Sequence, residues 1–121
     1  MPRSKQYNVV ITETALRMID EKYRYIASFL FEPETAKRWL VRMSGFLKKN
    51  LSSFPCKYPV YRKEQYGDVY HIVCFHNDVI IYDVDDDSNS VYVDLVTTKG
   101  RNLERLIELC MDVKDVGSYS D

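Results

Sequence analysis

A chain of 121 residues with 45% hydrophobic and 13% aromatic content can fill one core without staples, so about one domain is expected. No stretch approaches the roughly 18 consecutive apolar residues of a membrane helix, and the opening MPRSKQYNVV lacks the apolar segment of a signal peptide, which predicts a cytoplasmic protein with no membrane partner. The net charge of −1 hides a division: residues 1–63 hold 13 Lys and Arg against 5 Asp and Glu, and the remainder holds 4 against 13. A basic half suits an anionic partner, although the same charges interleaved in space would be an ordinary solvated surface.

In chain order, Tyr7 to Ile11 is short and β-branched, as a buried strand is. Thr12 offers a hydroxyl to cap a following helix, with Glu13 in its first turn. Ala15, Ile19, Tyr23, Ile26, Ala27 and Leu30 then recur at helical spacing as one inner stripe. Pro33 fits a first helical turn, so FEPET marks a break and a second helix running to about Asn50. Its inner stripe is Ala36, Leu40, Met43 and Leu47, and the short link makes the two helices an antiparallel hairpin.

Pro55 and Pro59 end helical structure, and β-formers dominate from Val60 onward. Strands are predicted at 69–75, 79–84 and 91–96, joined by short turns into an antiparallel meander, with Val91, Val93 and Leu95 on one face. A last helix capped near Asn102 carries Leu103, Leu106, Ile107 and Cys110 along one side, and residues 113–121 form a loose tail. The class is α+β: an N-terminal strand, a helical hairpin, a three-stranded meander and a C-terminal helix, within one domain of residues 1–112.

Two motifs invite metal or disulfide chemistry. The stretch DVDDDSNSVYVD, residues 83–94, has acids at the first, third, fifth and twelfth positions of a calcium loop. Its sixth residue is Ser88 where such loops place glycine, and its flanks are strand sequences, so 85–90 is read as a hairpin turn. The cysteines Cys56, Cys74 and Cys110 are odd in number with no C-x-x-C spacing, and neither a disulfide framework nor a zinc knuckle is indicated. No metal or cofactor is expected.

The blocks YNVVITETALRMIDEKYRYIA, EPETAKRWLVRM and FHNDVIIYDVDDDSNSVYVDLVTTKGRN, in this order, resemble the RelE/ParE superfamily of type II toxins over about residues 6–110. The resemblance implies a small antiparallel sheet packed on a helical hairpin, a cognate antitoxin as partner, and growth inhibition of the plasmid-stabilisation type. It implies one of two targets: DNA gyrase in the ParE-like branch, or the ribosome and its mRNA in the RelE-like branch of endoribonucleases. A non-toxic, partner-binding relic of the family is a third reading. The RNase branch carries an arginine before the tyrosine of the strand at 79–84, whereas NDVIIYDV holds no base, which favours the ParE-like branch.

Arg101, after the last strand, and Tyr82 match the family's positions; Arg101 equally suits a structural cap or an ion pair. Lys57, Tyr58, Tyr61, Arg62, Lys63 and Tyr66 interleave bases with aromatics, a composition that grips phosphates and stacks on nucleotides and is also common in loops. His71 on a strand is a candidate acid or base, with a core histidine as the plainer reading. Trp39, Tyr23 and Phe46 are expected in the core.

Overall fold

Thr12 begins the first helix as its hydroxyl predicts, accepting the Ala15 amide at 3.2 Å. The same hydroxyl donates to the Val93 carbonyl at 2.8 Å, so the cap also fastens the helix to the sheet. The computed structural model describes residues 6–63, 69–100 and 105, and of 61–63 the backbone alone. The predicted last helix, apart from Arg105, and the 113–121 tail lie outside the described residues.

Strand β1 (Asn8–Ile11) leads through Thr12 into helix α1 (Glu13–Arg24), which widens into a π-helical turn at Tyr25–Phe29. Helix α2 (Pro33–Leu51) follows, with proline in its first turn, where the missing amide hydrogen is no loss. A 3₁₀ turn at Pro55–Lys57 leads into β2 (Val60–Lys63), β3 (Val69–Phe75), β4 (Asp78–Asp85) and β5 (Ser90–Thr98). No helix among the described residues is long and apolar enough to cross a membrane.

The meander is larger than three strands. β2 joins it antiparallel to β3, and β1 closes the other side parallel to β5, giving one sheet in the order β1-β5-β4-β3-β2. α2 lays Ala36, Met43, Leu47 and Leu51 inward, and Met43, Leu47 and Leu51 meet Val73, Ile80, Tyr82, Val91, Val93 and Val96 of the sheet. Of the α1 stripe, Ala15 is fully buried and Ile26 nearly so, whereas Leu30 is turned out at the corner of the hairpin with 43% exposure. The π turn rotates the chain out of the period that the spacing implied.

A second departure lies in β5. The pairing steps from Ile81↔Leu95 to Tyr82↔Val93, leaving Asp94 as an extra residue. A bulge of one residue reverses the alternation beyond it. Leu95 therefore packs with Tyr70, Val79 and Ile81 rather than with Val91 and Val93, against the single face the alternation predicted.

The acidic stretch forms the β4–β5 turn. Asp85 accepts the Asp87 amide at 3.0 Å and the Ser88 hydroxyl at 2.9 Å, and Asn89 takes a left-handed φ of 53°. This is the local side-chain bonding by which Asp and Asn make turns.

Candidate functional site

The segment singled out for bases and aromatics lies along one edge of the sheet. Its start is fixed by Phe54, whose left-handed φ of 50° turns the chain from α2 into the 3₁₀ turn at Pro55–Lys57. Lys57 is exposed and its ammonium stands 5.1 Å from the ring centre of Tyr58. The chain then enters β2, an outer strand of the sheet, where Val60 pairs with His71 and Arg62 with Tyr70. Tyr61 is the extra residue between those pairs, at a bulge of the kind that re-aims side chains at sheet edges. Arg62 and Lys63 follow on the same strand, so Lys57, Tyr61, Arg62 and Lys63 share one border of the sheet by backbone placement. Arg101 and Tyr66 lie outside the described residues.

Tyr82 belongs beneath this border. It is 0% exposed, its hydroxyl donates to the Pro55 carbonyl, and burial raises its pKa. His71 stacks on it with ring centres 5.2 Å apart and planes inclined by 15°, while Tyr58 meets it edge-on at 6.5 Å. His71 is itself only 6% exposed, and its Nδ1 lies 3.0 Å from the Tyr58 carbonyl oxygen. The three rings hold the 55–58 turn to the sheet. Neither the Tyr82 phenol nor the His71 imidazole is presented to a substrate here, so both serve as support for the border above them.

Sequence reasoning missed the neighbours of this platform. Tyr7 donates to Asp86 Oδ1 at 2.6 Å, tying the start of β1 to the β4–β5 turn. That bond, with loss of solvation and the Asp86 charge, raises the Tyr7 pKa to about 12. The Cys56 thiol beside them is pushed up by loss of solvation and then by the Asp86 charge. Nothing local in the sequence marks Tyr7 and Asp86 as partners, since 79 positions separate them.

At the other end of the sheet, Asp78, read as a turn residue, is 2% exposed. It accepts from the Lys22 ammonium of α1 and from Trp39 Nε1 of α2 at 2.8 Å, and Lys22 also stands 5.2 Å from the centre of the Trp39 ring. One carboxylate thus binds both helices to the β3–β4 corner. Among the described residues no group of three or more His, Cys, Asp or Glu side chains could hold a metal ion.

The described residues thus form two consecutive helices packed on a five-stranded sheet whose first strand runs parallel to its last. A chain of the toxin-antitoxin complex RelBE2 from Mycobacterium tuberculosis superposes with a TM-score of 0.57, covering 84% of this chain and 100% of that one at 18% identity. At that identity the likeness is one of fold. No protein-family model and no curated protein matches the sequence.

Proposed function

We propose that this chain is the toxin of a type II toxin-antitoxin pair, that it arrests growth by binding DNA gyrase, and that a cognate antitoxin neutralises it in the cytoplasm. The toxin reading is supported by a fold that accounts for the whole of a chain from a toxin-antitoxin complex. The gyrase reading is supported by β4. Its sequence DVIIYDVD has no basic residue, and Asp78 to Tyr82 are all buried. Phosphodiester cleavage is helped by a cation that stabilises the charge developing at the scissile phosphate, and this strand offers none. The exposed Lys57, with Arg62 and Lys63 beside it on β2 by backbone placement, then serves to hold an acidic partner segment rather than to cleave RNA.

Expression from a tightly repressed promoter tests this directly. Growth arrest with induction of the SOS response and no codon-specific transcript breaks is expected, and Arg101→Ala is expected to relieve arrest while circular dichroism stays unchanged. Primer extension that found breaks at ribosome-occupied codons would sink the gyrase reading and move the site to Lys57, Arg62, Lys63 and Arg101. A small acidic protein encoded beside the gene should bind the chain, and more weakly as salt rises.

A further inference from the structure

Helix α2 turns an unusual face to solvent. Lys37, Arg38, Val41, Arg42, Gly45, Lys48 and Lys49 are all exposed. Over the whole helix five cations stand against one acid, Glu34. Glu34 meets Lys37 at 3.7 Å; among the described residues Arg42, Lys48 and Lys49 form no ion pair, and Arg38 bonds only the Thr35 hydroxyl. Arg38, Arg42 and Lys49 fall on one line at i, i+4 and i+11, and at 1.5 Å per residue Lys37 and Lys49 are about 18 Å apart. A shallow open depression between Lys37, Arg38, Val41 and Arg42 lies on this line.

The N-terminal end of the ridge runs into exposed aromatics. Phe31 is 85% and Phe29 69% exposed, and Tyr25 stacks on Phe29 with ring centres 5.0 Å apart. Phe31 holds a left-handed φ of 55°, a strained state for a bulky side chain, and it follows the π turn. The fold thus maintains, at a conformational cost, a phenylalanine that it does not bury.

We infer that the outer face of α2 and the hairpin corner bind single-stranded nucleic acid, with phosphates along the cations and bases stacked on Phe29 and Phe31. An acidic peptide is the other anionic partner of such a face, but along the ridge it would find Val41 as the sole large apolar residue. Protein interfaces exclude charge from their centres, whereas nucleic-acid interfaces concentrate positive charge. Cations followed by aromatic platforms are the arrangement that tracks a single strand. The surface lies on the helical side of the sheet and is independent of the border containing Lys57.

Fluorescence anisotropy of the full chain with labelled dodecamers of U or dT, and with a 12-base-pair duplex, over a salt series tests this. Binding is expected to weaken steeply with salt, and Arg38→Glu/Arg42→Glu to weaken it about tenfold or more while lowering the logarithmic salt slope by about 1.4. Arg17→Glu/Lys99→Glu makes the same change in net charge elsewhere and is expected to stay within about twofold. Gly45→Lys is expected to tighten binding, because a Cβ at Gly45 meets nothing within 4 Å. Phe31→Gly, which relieves the backbone strain, is expected to lose affinity for the single strands and keep it for the duplex. Absence of binding at low salt, equal losses in the two double variants, or displacement by polyglutamate as effective as by unlabelled oligonucleotide would each overturn the inference. Circular dichroism of every variant separates loss of contact from loss of fold.

Discussion

Lys22 of α1 reaches Asp78 at the start of β4, and the carboxylate it meets is almost wholly removed from solvent. The pair is 56 positions apart in sequence and completes its bonding through the Trp39 indole. Removing one partner of a buried pair leaves the other charged and unsatisfied, which is costlier than the pair itself is beneficial. Asp78→Ala is expected to lower stability by about 3 kcal/mol in urea melts. Lys22→Met combined with Asp78→Asn should cost clearly less than the sum of the two single changes. Additive costs would mean that the two groups do not interact.

Tyr82→Phe removes a hydroxyl whose partner, the Pro55 carbonyl, anchors the turn beneath Lys57. The expected cost is about 1–2 kcal/mol, that of one buried bond with its acceptor left unpaired. Growth arrest at matched levels of folded protein should persist. Its disappearance without a change in melting temperature would assign the phenol a direct part in activity.

Tyr7 gives an alkaline signature. Its folded-state pKa of about 12 lies above the ordinary tyrosine value of 10.0, so its contribution is complete below pH 10 and is lost as pH climbs toward 12. Wild-type stability should therefore fall more steeply between pH 10 and 12 than that of Tyr7→Phe. Parallel curves from chemical denaturation would rule out the Tyr7–Asp86 bond as a source of stability.

The acidic turn should ignore calcium. A ligand that binds only the folded state raises the melting temperature, so millimolar calcium that left Tm unchanged would agree with a turn bonded through Asp85. Asp86→Asn should be tolerated, because the amide oxygen still accepts from Tyr7. A calcium-dependent rise in Tm would restore the metal reading.

Local chemistry made much of this fold readable. The hydroxyl of Thr12, the proline at 33 and the period change after Pro59 each act within a few residues, and the helices and strands begin close to where those signals place them. What escaped was set at long range or by one residue of slippage. The parallel pairing of β1 with β5 has no local signal, and neither has the bulge at Asp94 that turns Leu95 to the other face. Asp78 reads as a turn residue because its environment comes from Lys22 and Trp39. The candidate border was legible in composition at Lys57 to Lys63, whereas the burial of Tyr82 beneath it was not. The α2 ridge was written in KRWLVRMSGFLKK all along, as the complement of the apolar stripe used to find the helix.

The pairing of Asn8 with Ser90 means that β1 leaves the ribosome well before its partner β5 and waits for it. Until about 80 further residues are made, β1 has no neighbour in its sheet, and the Thr12 hydroxyl has no Val93 carbonyl to bond. Contacts so distant in sequence close late and slowly. Synthesis therefore carries its own timer: a chain stopped before β5 is an unfinished sheet that lacks the partner of β1.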